Sequence, residues 1–184
     1  MVVPVEGARH QWKTLPLATG WAILGVVKNL GIREARLRWP NDLMVKDMKL
    51  AGLLSEQFRE GVAVVGVGIN VFNSPKLLIH ELMQATTRLS DHINPAPSLD
   101  ELTGMILKSI KNMHQHMKKY GFSAMLDEIN AAWNMPRQVE LTLDNGIQRG
   151  AFLGITGEGD LIVKNDSGRT YSYSPLQVKR FREV

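Results

Sequence analysis

Three short segments between residues 38 and 70 constrain this chain more than any other feature: Arg38-Trp39-Pro40-Asn41-Asp42, Lys49-Leu50-Ala51-Gly52, and Val65-Gly66-Val67-Gly68-Ile69-Asn70. Together they gather two cations, a carboxylate, two carboxamides and bare backbone. Glycine has no Cβ, so a ligand can lie directly against its main chain, and a lysine between glycine-bearing segments offers positive charge to an anion held there. The pattern reads as a site that handles an adenylate.

The rest of the chain fits a soluble α+β protein. Its 184 residues are 44% hydrophobic and 22% charged, enough to bury a core. There is no cysteine, which excludes disulfides and thiolate metal sites and fits a reducing compartment. Neither a signal-like amino terminus nor a membrane-length apolar run is present, so a cytoplasmic protein without a membrane partner is expected. The net charge is +4, with nine basic against six acidic residues in 1–60, six against six in 61–134, and seven against six in 135–184. The surplus coincides with the segments where an anionic ligand is suspected, and nucleic acid is not expected as a partner.

Periodicity predicts a helix over 15–30, with Leu17, Trp21, Leu24, Val27 and Leu30 on one face, stopped at Gly31. Ala35 to Trp39 alternates as a strand does, and Pro40-Asn41-Asp42 breaks it. Strands are expected at 43–45 and 50–58 around a turn at Lys46-Asp47-Met48, followed by a strand at 62–71 buried on both faces. A moderately helical stretch spans 77–89. Ser98 and Glu101 have capping-box spacing ahead of a helix over 99–120, with Leu102, Ile106, Ile110, Met113 and Met117 as its core stripe. A shorter helix over 123–133 leads to Met135-Pro136, the expected boundary between units 1–134 and 135–184. Beyond it, short strands at 138–143, 147–155, 161–164 and 169–173 alternate with turn residues such as Asn145-Gly146, which suggests a small SH3-like barrel.

Lys49 is the strongest candidate for chemistry. When a carboxylate attacks a nucleotide α-phosphate, two anions must approach, and a lysine between them offsets their repulsion. A surface lysine in a turn would be the plain structural alternative. Asp42 could bind magnesium or take a proton from an amine, or it could simply cap a turn, as could Asn41. Gly66 and Gly68 weaken a strand unless something lies close to them, and Asn70 could meet a nucleobase or close a turn. His114 and His116 are two apart and fall on different sides of a helix, so they do not form a metal pair, and His10, His80 and His92 have no motif around them. The chain has no Walker loop, dinucleotide fingerprint or Gly-x-Ser-x-Gly elbow.

At these residues the chain resembles the biotin protein ligases. The helix over 15–30, the Trp39–Asp42 run, Lys49–Gly52, Gly66–Asn70, the later helices and the terminal strands come in that family's order. The resemblance implies a partial class II synthetase-like sheet with helices, followed by an SH3-like domain. It also implies a two-step reaction in which biotin and ATP with Mg2+ give biotinyl-5′-adenylate, and a lysine of a biotin carboxyl carrier domain then takes the acyl group. By the same resemblance Lys49 and Asp42 are the catalytic pair. Lys49, Gly52, Leu54 and Gly66 would bind biotin, and Asn41, Lys49, Gly68 and Asn70 would bind the nucleotide. The family's glycine- and arginine-rich adenylate loop has no match, so the resemblance is to the later part of the catalytic domain. A noncatalytic binding or assembly module, and a ligase for a related acid such as lipoate, are the alternatives. An open sheet edge could also pair two copies. Arg38 stands where a lysine is common in the family, which keeps the charge and changes the geometry.

Overall fold

A computed structural model of the protein describes residues 2–4, 13–59, 62–73, 86–133 and 137–184. Two antiparallel five-stranded sheets and three helices make up this part. β1 (Val2–Pro4), β2 (Ala35–Arg38), β3 (Asp42–Val45), β4 (Met48–Arg59) and β5 (Val62–Ile69) form the first sheet in the order β1-β5-β4-β3-β2. β6 (Arg137–Leu143), β7 (Gly146–Ile155), β8 (Leu161–Lys164), β9 (Thr170–Tyr173) and β10 (Arg180–Glu183) form the second in the order β10-β6-β7-β8-β9. The strands expected for a small SH3-like unit are present as this second sheet, and no ladder between its edge strands β9 and β10 is seen among the described residues.

Helix α1 (Leu15–Asn29) lies on one face of the first sheet. A Cβ placed on its Gly20 would meet Leu37 Cδ2 at 3.2 Å and Leu53 Cδ1 at 3.6 Å, which identifies the face it covers. The single stripe expected for α1 is too narrow. Ala18, Ala22, Ile23 and Val26 are buried as well, because α2 (Leu99–Tyr120) packs on its other side and Ser109 of α2 donates to the Ala22 carbonyl at 2.8 Å. Trp21 and Leu30 are only partly buried. The α2 stripe of Leu102, Ile106, Ile110, Met113 and Met117 is buried as the spacing predicts, and the Ser98–Glu101 capping box is formed. Residues 122–133 begin with a 3-10 turn at Phe122–Met125 before α3 (Leu126–Ala131), and are not one continuous helix.

Two further expectations change. The turn after β2 ends at Asn41, so Asp42 begins β3 and is paired on both sides, with Arg38 and with Gly52. β5 is not buried on both faces, because α1 and α2 cover only one side of the sheet and Gly66 and Gly68 are exposed on the other. The stretch 77–85, His10, His80 and the Met135-Pro136 boundary lie outside the described residues.

One hydrophobic core runs through both sheets. It joins Leu24, Leu37 and Leu53 to Trp133, Val139, Phe152 and Val163 without a break. Trp39 is buried, donates its indole N–H to the Gly159 carbonyl at 3.2 Å and packs against Phe181 with ring centroids 5.7 Å apart. Trp133 meets Phe152 edge to face at 5.4 Å. Asn130 completes the seam by accepting from the Ile155 N–H at 2.9 Å and from the Trp133 indole at 3.1 Å.

Candidate functional site

Residues directly opposite one another in adjacent strands share a face of the sheet. The registers Arg38↔Asp42, Asp42↔Gly52 and Gly52↔Gly68 therefore lay one row across four strands, and Leu54↔Gly66 lies beside it. This is the face that α1 does not cover.

Simple alternation along β4 would place Lys49 on the opposite face from Gly52, three residues away. A bulge changes this. Leu43 pairs with Ala51 and Met44 with Lys49, so Leu50 has no partner in β3, and the extra residue turns Lys49 onto the Gly52 face. Its ammonium lies 2.5 Å from Asp42 Oδ1, with the Lys49 side chain 40% exposed and that of Asp42 10%. Gly52 is what lets the lysine lie there, since a Cβ at this position would stand 2.9 Å from Nζ and 3.0 Å from Cε. Asp42 is held from its other side by Arg38, whose Nη2 is 2.5 Å from Oδ2. One nearly buried carboxylate is thus shared by two cations.

The remaining predicted residues divide between open floor and scaffolding. A Cβ on Gly66 or Gly68 would meet nothing nearer than a backbone oxygen at 3.8 or 3.9 Å, so these two leave flat, accessible backbone beside Gly52. Leu54 projects from the same face, 60% exposed. Asn41 spends its amide on the Leu53 carbonyl at 2.5 Å and accepts from the Leu53 N–H through its own carbonyl at 2.9 Å, which fixes the turn before Asp42. Asn70 donates to the Thr87 carbonyl at 2.9 Å and approaches the Lys49 carbonyl at 3.5 Å. The backbone at the bulge is further tied by the Thr87 N–H on the Lys49 carbonyl at 2.9 Å and the Asn70 N–H on that of Leu50 at 3.0 Å. In this arrangement Asn70 steadies the strand that carries the lysine. A cavity of about 350 Å³ adjoins the face and is lined by Asn41 and Leu54 together with Leu15, Pro16, Pro175 and Leu176, but Lys49 and the glycines lie outside it.

Sequence reasoning missed the shared carboxylate and the bulge. The first left a signal: Arg38 and Asp42 flank a Trp-Pro-Asn turn, the spacing of a hairpin-end pair. Among the described residues no three His, Asp or Glu side chains converge on a point that could hold a metal ion, and no helix is long and apolar enough to cross a membrane. His114 lines a second cavity between α1, α2 and β5, and His116 packs against Tyr120 with ring centroids 4.9 Å apart.

A cation laid against side-chain-free backbone, with a carboxylate beside it, is an arrangement suited to gathering anions on a sheet face. The profile of the biotin/lipoate A/B protein ligase family matches residues 1–72. The chain is 43% identical over 157 residues to the bifunctional ligase/repressor BirA of Escherichia coli, covering 83% of this chain and 48% of that protein. It is 26% identical over 163 residues to BirA of Bacillus subtilis, covering 86% of this chain and 50% of that one. Its fold is similar to that of the biotin protein ligase of Aquifex aeolicus, solved with biotin and ATP, at a TM-score of 0.85 and 20% identity, covering 100% of this chain and 77% of the other. The chain belongs to the biotin/lipoate A/B protein ligase family. It spans about half the length of the BirA proteins it matches.

Proposed function

We propose that the protein attaches biotin to a lysine of a biotin carboxyl carrier domain through biotinyl-5′-adenylate. The observation that carries this reading is the Lys49 ammonium, set between the Asp42 carboxylate and the uncovered backbone of Gly52. In the first step a biotin carboxylate oxygen attacks the α-phosphorus of ATP. The new P–O bond forms as the bond to pyrophosphate breaks, and Lys49 lies between the two anions and stabilises the charge that accumulates. In the second step the carrier amine attacks the acyl carbon and AMP departs. Once Lys49 turns to the bound anions, Asp42 Oδ1 is released to accept a hydrogen bond from the incoming amine, which orients its lone pair.

The exposed Gly66 and Gly68 extend the same floor for the ligand, and Leu54 offers an apolar wall to the biotin ring. Residues 1–134 would carry the reaction face, with residues 135–184 bracing it. The donor set does not fit a protein-held Mg2+, because both oxygens of Asp42 already meet cations. The ion would enter on the phosphates of the nucleotide. Biotin is preferred to lipoate as the acid because the relatives above are named as ligases of biotin or as BirA.

The test is pyrophosphate release with ATP and biotin, with lipoate in parallel, for the unaltered protein and for Lys49→Ala. Biotin-dependent release that falls by about a hundredfold or more in the variant is the expected result. Equal rates in the two proteins would end the proposal.

A further inference from the structure

We propose that Arg38 is a positioning residue that loosens the hold of Asp42 on Lys49, so that the lysine can leave for the substrate anions. This rests on the role of Lys49 in the reading above. The geometry is a carboxylate divided between two cations: Arg38 Nη2 lies 2.5 Å from Oδ2, and Lys49 Nζ lies 2.5 Å from Oδ1. The two cations differ in freedom. Arg38 ends β2 opposite Asp42 in a register pair, so the hairpin fixes its backbone beside the carboxylate, and its side chain is 30% exposed. Lys49 is more exposed, at 40%, and has open backbone beyond it at Gly68.

A lone carboxylate that is nearly buried would hold the nearest ammonium with its full charge. Arg38 draws on the same charge from the other side and keeps the carboxylate anchored when the ammonium swings away. An arginine suits this task because its planar fork stays put, whereas a lysine at 38 would be a second mobile point charge. An Arg38 that only decorated the surface would leave Lys49 labelling unchanged when removed, so the direction of the change separates the two roles.

The experiment measures the rate at which acetic anhydride labels Lys49, followed by peptide mass spectrometry, in the unaltered protein, Arg38→Met, Arg38→Lys and Asp42→Asn. Far-UV circular dichroism checks that each folds. Arg38→Met should slow labelling of Lys49 by about two- to fivefold, the scale of one partly exposed ion pair, while Asp42→Asn speeds it and Arg38→Lys lies between Met and the unaltered protein. Biotin-dependent pyrophosphate release should show a lower kcat in Arg38→Met with the KM for biotin unchanged. Labelling that is unchanged or faster in Arg38→Met overturns the inference. An unaltered protein that releases no pyrophosphate refutes the biotin reading instead, and the labelling rates still decide the role of Arg38.

Discussion

The Lys49 ammonium touches Asp42 Oδ1 at 2.5 Å directly over Gly52, a position where any side chain would displace it. The closeness of the pair therefore depends on an atom that is absent, and substitution of the glycine should separate structure from chemistry.

Gly52→Ala should leave the fold intact and lower adenylate formation by about tenfold or more, because the lysine end must shift by several tenths of an ångström from its working position. Pyrophosphate release and circular dichroism measure the two effects. Gly25→Ala is the control. Gly25 is exposed in the middle of α1 with nothing within 4 Å of an added Cβ, so the change should raise stability by about 0.5–1 kcal/mol without altering the rate.

Glu183→Gln should destabilise the protein by roughly 2–3 kcal/mol in a thermal or urea melt. Arg36 is buried on β2, and its fork meets Glu183 at 2.9 and 2.6 Å. The loss is smaller than for a fully isolated buried charge because Asp47 remains 3.4 Å from the same guanidinium.

The amino end of α2 should loosen in acid. The Ser98 hydroxyl and backbone N–H both bond the Glu101 carboxylate and hold its pKa below the ordinary value of 4.5. A carboxyl group lowered by folding contributes stability above its unfolded value and loses it as pH falls through the folded one, so the contribution fades below 4.5. Protection of the amides at residues 98–102, taken as exchange relative to the intrinsic rate at each pH, should fall there, and Glu101→Gln, which keeps the cap without the titration, should flatten the response. Protection that falls equally in both proteins would contradict the assignment.

Unfolding should be a single transition. Near-UV circular dichroism reports on Trp39 and Trp133 at the seam and far-UV on both sheets, and the two melts should coincide because one core runs through residues 17–163. A separate melt of the second sheet would show that the seam is weaker than its packing indicates. Removing residues 135–184 would uncover Trp39 and Trp133, so the deletion tests folding as much as catalysis.

Much of this arrangement is legible in the sequence where a local rule governs it. The Ser98–Glu101 cap, the α2 stripe and the Asn145-Gly146 hairpin each depend on residues a few positions apart, and each stands as read. Lys49, Asp42 and Gly52 were legible as a set because their residue types suit the chemistry. What was hidden depends on partners distant in the chain. The exposure of β5 follows from which face the helices cover, the width of the buried surface on α1 from its second neighbour, and the Arg36–Glu183 pair from a contact 147 residues apart. The resemblance implies that Asn41 and Asn70 meet the nucleotide, with a turn contact as the plain alternative, and it takes the structure to show their amides on the backbone carbonyls of Leu53 and Thr87.

The unpaired Leu50 makes segment length as consequential as residue identity. Adding one residue to β3 between Leu43 and Met44 would give Leu50 a partner, restore simple alternation along β4 and send the ammonium through to the helix side, with every motif letter still in place. A chain of this lineage would therefore keep its signature intact and lose this arrangement through a single-codon insertion, which a search for the letters alone would pass over.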